Sequence, residues 1–360
     1  MDQSILLNHP IENKKILVAP LNWGLGHAVR CIPIIRALKN EGFVPILAGD
    51  GDSLSYLKQV FPNLKSYELP STSVNYTSKG NLLKFKLLQQ APLLFKRVLK
   101  ERKSVREIHS IEHLSGIISD NRFGLRLKGV PSIYITHQLR VLSGSSSRLT
   151  TKLHQNIISG FDECWVPDFK KNGLAGILSR PMEKMNKVRF IGPLSSFKKQ
   201  EKEKKIDVLV VLSGPEPQRS ILESKVKEEL SGFSGKCLIV QGLIQKKQVF
   251  SKDKHFTTVN FMLRSELERV IAESHLIISR SGYTSIMDFF TMESQVFFVP
   301  TPGQYEQEYL AENLKKKGVA NFSKQSEFTL DKIKYLEKFK GFKHKKTSNP
   351  DFDKSLFDVF

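Results

Sequence analysis

The chain has 360 residues, 40% hydrophobic and 26% charged, enough apolar material for two sizeable cores, which excludes a disordered or fibrous protein. Against 36 acidic residues stand 56 Lys and Arg, a formal charge of +20, so an anionic partner is expected: nucleic acid, an anionic membrane face or a phosphorylated substrate. Cys31, Cys164 and Cys237 show no CxxC or CxxxH spacing, which argues against a disulfide framework or structural zinc and fits a reducing compartment. No apolar run approaches the roughly 18 residues that span a bilayer. The first thirteen residues also lack the pattern of a signal peptide, so a cytoplasmic chain is expected.

In chain order, the run KKILVAP over Lys14–Pro20 predicts a buried strand, followed by the loop NWGLGH and a helix over Ala28–Asn40. Strands are predicted at Val44–Ala48, Ser115–Ser119, Ser132–Thr136, Glu163–Val166 and Val188–Gly192. Between them Asn81–Ile108 carries eight Lys or Arg and two Glu interleaved with Leu and Phe, and Pro92 is expected to bend or divide its helix. This segment reads either as a solvated surface helix or as an amphipathic face that lies on an anionic bilayer or captures a lipid-linked acceptor.

FKKQEKEKK over Phe197–Lys205, with five Lys and two Glu, reads as a charged linker. Past it the first theme returns. Strands are predicted at Asp207–Leu212, Lys236–Gln241, Thr257–Asn260, Leu276–Ser279 and Gln295–Val299, with a helix over Ser220–Leu230. Alternating strands and helices imply parallel βαβ units in two Rossmann-like domains. The expected boundaries are 1–196, linker 197–205, 206–330 and a lysine-rich tail over 331–360, in which Lys332–Lys346 holds seven Lys and one Glu.

Three segments at strand ends carry candidate chemistry. Gly24-Leu25-Gly26-His27 opens the first helix, where glycines admit a ligand to the backbone and the helix start offers free N–H groups. Without a third glycine at Val29 it is not a dinucleotide fingerprint. Arg280-Ser281-Gly282-Tyr283-Thr284-Ser285 follows a strand and starts a helix containing Asp288; its hydroxyls and amides suit a diphosphate, the carboxylate suits ribose hydroxyls, and N-capping accounts for the same serine and threonine. Pro300–Glu308, PTPGQYEQE, brings Gln304 and Gln307, whose mixed donors and acceptors suit a sugar. All three lie where open parallel sheets bind ligands, at the strands' carboxyl ends.

Read together, these segments resemble the GT-B glycosyltransferases of family 28, the group that includes the MurG-type N-acetylglucosaminyltransferases, over residues 14–330. The resemblance rests on GLGH, SRSGYTSIMD and PTPGQYEQEYLAENL. It implies an α/β GT-B fold, two Rossmann-like domains with parallel sheets facing across a cleft. It also implies sugar transfer, with inversion, from a nucleotide-sugar, UDP-linked in this family, to the hydroxyl of a lipid-linked or cell-envelope acceptor.

Carried across residue by residue, it places Gly24, Gly26, His27, His137 and Gln138 on the acceptor side, with His27 as the base. Phe261 and Met262 fall in the loop that frames the nucleotide base. Arg280, Ser281, Gly282, Thr284 and Asp288 hold the nucleotide diphosphate and ribose, and Gln304, Glu306 and Gln307 hold the sugar. The nucleotide-sugar is a substrate, and no cofactor or metal is implied, because GT-B enzymes meet the diphosphate charge with helix dipoles and basic side chains. The Asp50-Gly51-Asp52 triplet is accordingly discounted as a metal motif. The amphipathic reading of residues 81–108 would place the chain peripherally on the inner face of the cytoplasmic membrane.

The sequence departs from the pattern in two places. Pro215 and Pro217 remove two N–H donors from the loop Ser213–Pro217, and Glu308 stands where the family has a second glutamine. GLGHAVRC also resembles the loop of a UDP-sugar hydrolase in pseudaminic-acid synthesis, so water as acceptor is the rival reading, with a nucleotide-sugar 2-epimerase behind it. No zinc-finger spacing or RRM aromatic motif supports nucleic acid as the partner.

Overall fold

The computed structural model describes residues 13–71, 83–243, 245–343 and 354–360. The first half builds one sheet from β1 (Lys15–Pro20), β2 (Val44–Gly49), β3 (Ser66–Glu68), β4 (Gly116–Asp120), β5 (Ser132–Ile135), β6 (Glu163–Val166) and β7 (Val188–Phe190). Every pairing is parallel, in the order β3-β2-β1-β4-β5-β6-β7. Strands of such a sheet are covered on both faces, which is why β1 and β4 are apolar runs and not alternating ones.

The second sheet contains β8 (Ile206–Val211), β9 (Cys237–Val240), β10 (Phe250–Lys252), β11 (Phe256–Val259), β12 (Ser274–Ser279), β13 (Val296–Phe298) and β14 (Asn321–Phe322). Its order is β10-β11-β9-β8-β12-β13-β14, and only the β10–β11 pair is antiparallel. All eleven predicted strands are present. Missing from the sequence reading are β3, β10 and β14, edge strands of two or three residues and too short to show periodicity.

In both sheets the chain reverses direction beside its first strand, between β1 and β4 and between β8 and β12. Ligands of open parallel sheets bind outside the carboxyl ends at such switch points. The helices that start there are α1 (Gly26–Asn40) after β1, α5 (Gln218–Leu230) after β8 and α7 (Tyr283–Thr291) after β12. Also present are α2 (Gly51–Val60), α3 (Leu83–Glu112), α4 (Ser147–Ile158), α6 (Arg264–Ala272) and α8 (Tyr305–Lys316).

Three expectations are corrected here. Pro92 does not divide its helix, since α3 runs unbroken from Leu83 to Glu112; Asn81 and Leu82 lie outside the described residues. Phe197, assigned to the solvated linker, is buried with the Arg264 guanidinium 3.5 Å over its ring. The end of the lysine-rich tail is an apolar clip: Phe357 and Phe360 pack against Phe43 and Trp165 of the first half, and Arg189 donates to the Ser355 carbonyl at 2.9 Å. Among the described residues no helix is long and apolar enough to cross a membrane.

Candidate active site

His27 sits in the first turn of α1, directly after the β1 loop. Gly24 in that loop has φ +72°, a left-handed conformation that glycine adopts without strain, and a Cβ there would meet nothing within 4 Å. The loop therefore turns sharply and stays open on its outer side. Asp120 ends β4, next to β1 across the switch point, and its carboxylate lies beneath the ring: His27 Nδ1 is 3.0 Å from Asp120 Oδ1. Arg30, one turn further along α1, donates Nε to Asp120 Oδ2 at 2.6 Å and Nη2 to Oδ1.

Asp120 and Arg30 are essentially fully buried, whereas the His27 side chain keeps 12% of its surface exposed. Burial alone would raise the Asp120 carboxyl, but the Arg30 and His27 charges override it and hold it far below the usual carboxylate range. Nδ1 lies 3.0 Å from the acceptor Asp120 Oδ1 and 2.9 Å from the donor Arg30 Nη2; in the tautomer that donates to Asp120, Nε2 keeps its lone pair. Burial first, then Arg30, lowers the His27 pKa below 6.5, with Asp120 opposing. The ring is therefore neutral near pH 7, the form a general base requires.

The second histidine, His137, follows β5. Its Nε2 donates to Glu306 Oε1 at 2.7 Å, and Gln138 Nε2 donates to the other oxygen of the same carboxylate. The His137 ring stacks on Tyr283 at 4.2 Å, and Tyr283 Oη reaches back to the Pro167 carbonyl at 2.8 Å. Residues assigned to the acceptor side and to the sugar thus meet in one constellation between the halves. Burial would raise Glu306, yet His137, Arg30 and His27 together hold it below the ordinary glutamate range. Nearby, a Cβ on Gly26 would lie 3.0 Å from Thr284 Oγ1, so the start of α1 touches the first turn of α7.

Around this contact the cleft is lined by open backbone. A Cβ at Gly282 or Gly303 meets nothing within 4 Å, and both lie at helix starts of the second half. One buried polar atom there, Thr301 Oγ1, has no partner among the described residues. Thr301 Oγ1 faces the β8 loop, 3.6 Å from where a Gly214 Cβ would be. Phe261 and Met262 follow β11 and are half-buried, and Asn260 Oδ1 accepts from the Phe261 amide at 3.0 Å.

Several donor-side expectations need correction. Arg280 does not face the cleft: its Nη1 and Nη2 donate to the carbonyls of Val299, Pro300 and Gln218 and to Gln325 Oε1. Desolvation lowers its pKa to about 10, and its role is to tie three loops together. Ser281 Oγ donates to the Gln307 carbonyl at 2.7 Å and is fully buried, so it fastens α7 to α8.

Asp288 is not an open ribose acceptor either. Arg264 grips both of its oxygens at 2.6 and 3.0 Å, and Ser195 Oγ donates to it at 2.5 Å. It lies six residues beyond Gly282, roughly 9 Å along the helix axis, where α7 faces the connecting segment. The Gln307 amide is also taken up within its loop, accepting from the Thr301 amide at 2.9 Å and donating to Gln304 Oε1 at 2.6 Å. Glu308 accepts from the Gly303 amide at 3.1 Å. Asp50, first residue of the discounted triplet, pairs with Arg122 at 2.7 Å and accepts from Asn22, while Asp52 is exposed.

Missing from the sequence reading were Arg30, Asp120, Ser195 and Arg264. Asp120 left a usable signal, an acidic residue at the carboxyl end of an otherwise apolar strand. Arg30 left one as well, the arginine of the GLGHAVRC run, though no role was assigned to it.

Residues 209–352 match the model of the glycosyltransferase family 28 C-terminal domain. Over 334 residues, 89% of this chain and 88% of the relative, the sequence is 22% identical to the UDP-N-acetylglucosamine--N-acetylmuramyl-(pentapeptide) pyrophosphoryl-undecaprenol N-acetylglucosamine transferase of Pasteurella multocida. The fold is similar to that of the kitacinnamycin glycotransferase, with a TM-score of 0.63, 14% identity and coverage of 90% and 89% of the two chains. It is also similar to that of MurG from Acinetobacter baumannii, with a TM-score of 0.56, 13% identity and coverage of 91% and 92%.

Proposed function

We propose that this chain, a nucleotide-sugar glycosyltransferase of GT-B fold whose residues 209–352 match the family 28 C-terminal domain, transfers a sugar from a UDP-linked donor to the hydroxyl of a lipid-linked or cell-envelope acceptor, with inversion. The observation that carries the reading is the His27–Asp120 pair at the β1–β4 switch point, its free nitrogen beside a backbone-lined cleft. In a single displacement the acceptor oxygen attacks the anomeric carbon as the bond to the diphosphate breaks. The acceptor proton passes to His27 Nε2 in the tautomer whose Nδ1 donates to Asp120, and Arg30 keeps that carboxylate ionised.

The departing diphosphate gains negative charge. It meets the N-terminus of α7 at Gly282 and the Thr301 hydroxyl. Gln304 and the Glu306 constellation border the sugar, and Phe261 and Met262 border the base. The relative from Pasteurella multocida acts on a pyrophosphoryl-undecaprenol substrate, which supports a lipid-linked acceptor here. Leu93, Phe95 and Leu99 on α3 are 67%, 63% and 47% exposed beside exposed Lys96 and Lys100, which supports peripheral docking on the inner face of the cytoplasmic membrane.

The test is nucleoside diphosphate release from a panel of nucleotide-sugars, with and without membrane lipid extract. Release that requires lipid is expected. Release in water alone, with free sugar accumulating, overturns the transferase reading in favour of the hydrolase.

A further inference from the structure

A second concave surface lies at the opposite end of the first sheet. It is a cavity of about 840 Å³ at the amino ends of the strands, lined by Arg102 and Arg106 of α3, by Arg126 and Lys128 of the β4–β5 connection, and by Ser132 and Asp162. Ser132 opens β5, and His137 follows that strand's other end, so the two sites are separated by about 17 Å of extended chain.

Four cations line this surface together with one carboxylate, and that carboxylate is already engaged: Asp162 Oδ2 accepts from the Ser132 amide at 2.8 Å. None of the four cationic side chains forms a hydrogen bond or ion pair among the described residues. Arg126 rests on the Phe161 ring at 5.7 Å; burial and the nearby Arg102 charge lower its pKa, with Asp162 opposing. Such clusters are normally dispersed or paired, because like charges close together repel. The remaining wall is apolar, from Leu127, Val130, Pro131 and Val359. On α3 the residues Phe95, Leu99, Arg102 and Arg106 are spaced 4, 3 and 4 apart, which sets them on one face of the helix. The exposed apolar side chains therefore lead along a single stripe to the two arginines.

We propose that this cavity is a second anion site, remote from the cleft, that binds a phosphate or diphosphate group. Arginine suits that chemistry because its planar fork engages phosphate oxygens in pairs. The apolar wall and the stripe beyond it match a phospholipid headgroup, and free pyrophosphate offers the same chemistry. The inference does not depend on which sugar or acceptor the cleft takes.

The probe is inorganic pyrophosphate, titrated calorimetrically into the full chain; any binding in the cleft is common to the parent and the cavity variants and cancels in the comparison. R102Q/R106Q/R126Q is expected to bind at least tenfold more weakly than the parent. A charge-matched control, K170Q/K171Q/K202Q, made at exposed sites elsewhere, is expected to stay within twofold. Because Arg126 covers Phe161, R102Q/R106Q is measured alongside, with an expected loss of at least fivefold and an unchanged melting curve. Equal binding by the parent and both cavity variants, or an equal loss in the control, overturns the site. Sedimentation with phosphatidic acid vesicles then identifies the source. A parallel loss of vesicle binding in the cavity variants assigns the site to a lipid headgroup, and retained vesicle binding with lost pyrophosphate binding assigns it to a free anion.

Discussion

A single carboxylate decides how His27 works. Asp120 presents an oxygen to Nδ1 while Arg30 binds both oxygens of that carboxylate and also reaches Nδ1, so the imidazole is held in one orientation. His27→Ala is expected to lower kcat about 10²–10⁴-fold while leaving UDP affinity within a few fold, measured by turnover and calorimetry. Collapse of donor binding in that variant would place His27 in the ligand cradle instead.

The pH profile follows from the direction of the shift. His27 titrates below 6.5, and the neutral ring is the active form, so kcat/KM is expected to fall only as pH drops below that value. Asp120 raises the His27 pKa, hence Asp120→Asn should move this acid limb to still lower pH as well as reduce kcat. It also leaves Arg30 buried without its counter-charge, so stability will drop. The displaced limb separates loss of positioning from simple loss of fold, and an unmoved limb would remove Asp120 from the mechanism.

Among the elements, α7 shows how a motif can be read correctly in place and wrongly in detail. Its start does lie at the switch point of the second sheet, open at Gly282, yet Ser281 and Asp288 spend their polar atoms on α8, α6 and the connector. Asp288→Ala is therefore expected to destabilise the protein by about 2 kcal/mol in urea unfolding, a modest figure because Arg264 keeps partial contact with water. A variant as stable as the parent but with weakened UDP binding would return Asp288 to the ribose.

On α3, Leu93, Phe95 and Leu99 face outward among lysines and are not consumed by the core. Salt-sensitive co-sedimentation with anionic but not neutral vesicles is expected. Each basic residue contributes about 1 kcal/mol, so K84Q/K86Q/K96Q/K100Q should abolish it. If that variant sediments like the parent, the helix is merely solvated.

At the scale of the whole molecule, the halves are joined by Leu194 and Phe197 of the connector, by the apolar end of the tail, and by the Glu306 contacts to His137 and Gln138. Glu306 titrates below the ordinary glutamate value in this closed arrangement. Its contribution to closure is therefore complete above about pH 4.5 and is lost as pH falls through the lowered value. Glu306→Gln removes the charge from both bonds and is expected to open the cleft at neutral pH, seen as a larger radius of gyration in small-angle scattering. An unchanged radius would leave closure to the other contacts between the halves, among them the connector, the tail and the Tyr283 bond to the Pro167 carbonyl.

The sequence by itself determined the two-sheet α/β architecture, because strands buried on both faces are continuous apolar runs and glycine-rich loops mark the helix starts after them. It also placed His27, Gly282 and the PTPGQYEQE loop at the carboxyl ends of the strands, since each follows directly from the strand before it. Only the tertiary structure decided which side chains remain available there. Asp120 lies 93 residues from His27, and Glu306 lies 169 from His137. Such pairings depend on strand order and on how the two sheets meet, which no local pattern encodes. The same holds for Arg280 and Asp288: their residue types promise ligand contacts, but buried charge must be satisfied, and nearby carbonyls and Arg264 satisfy it first.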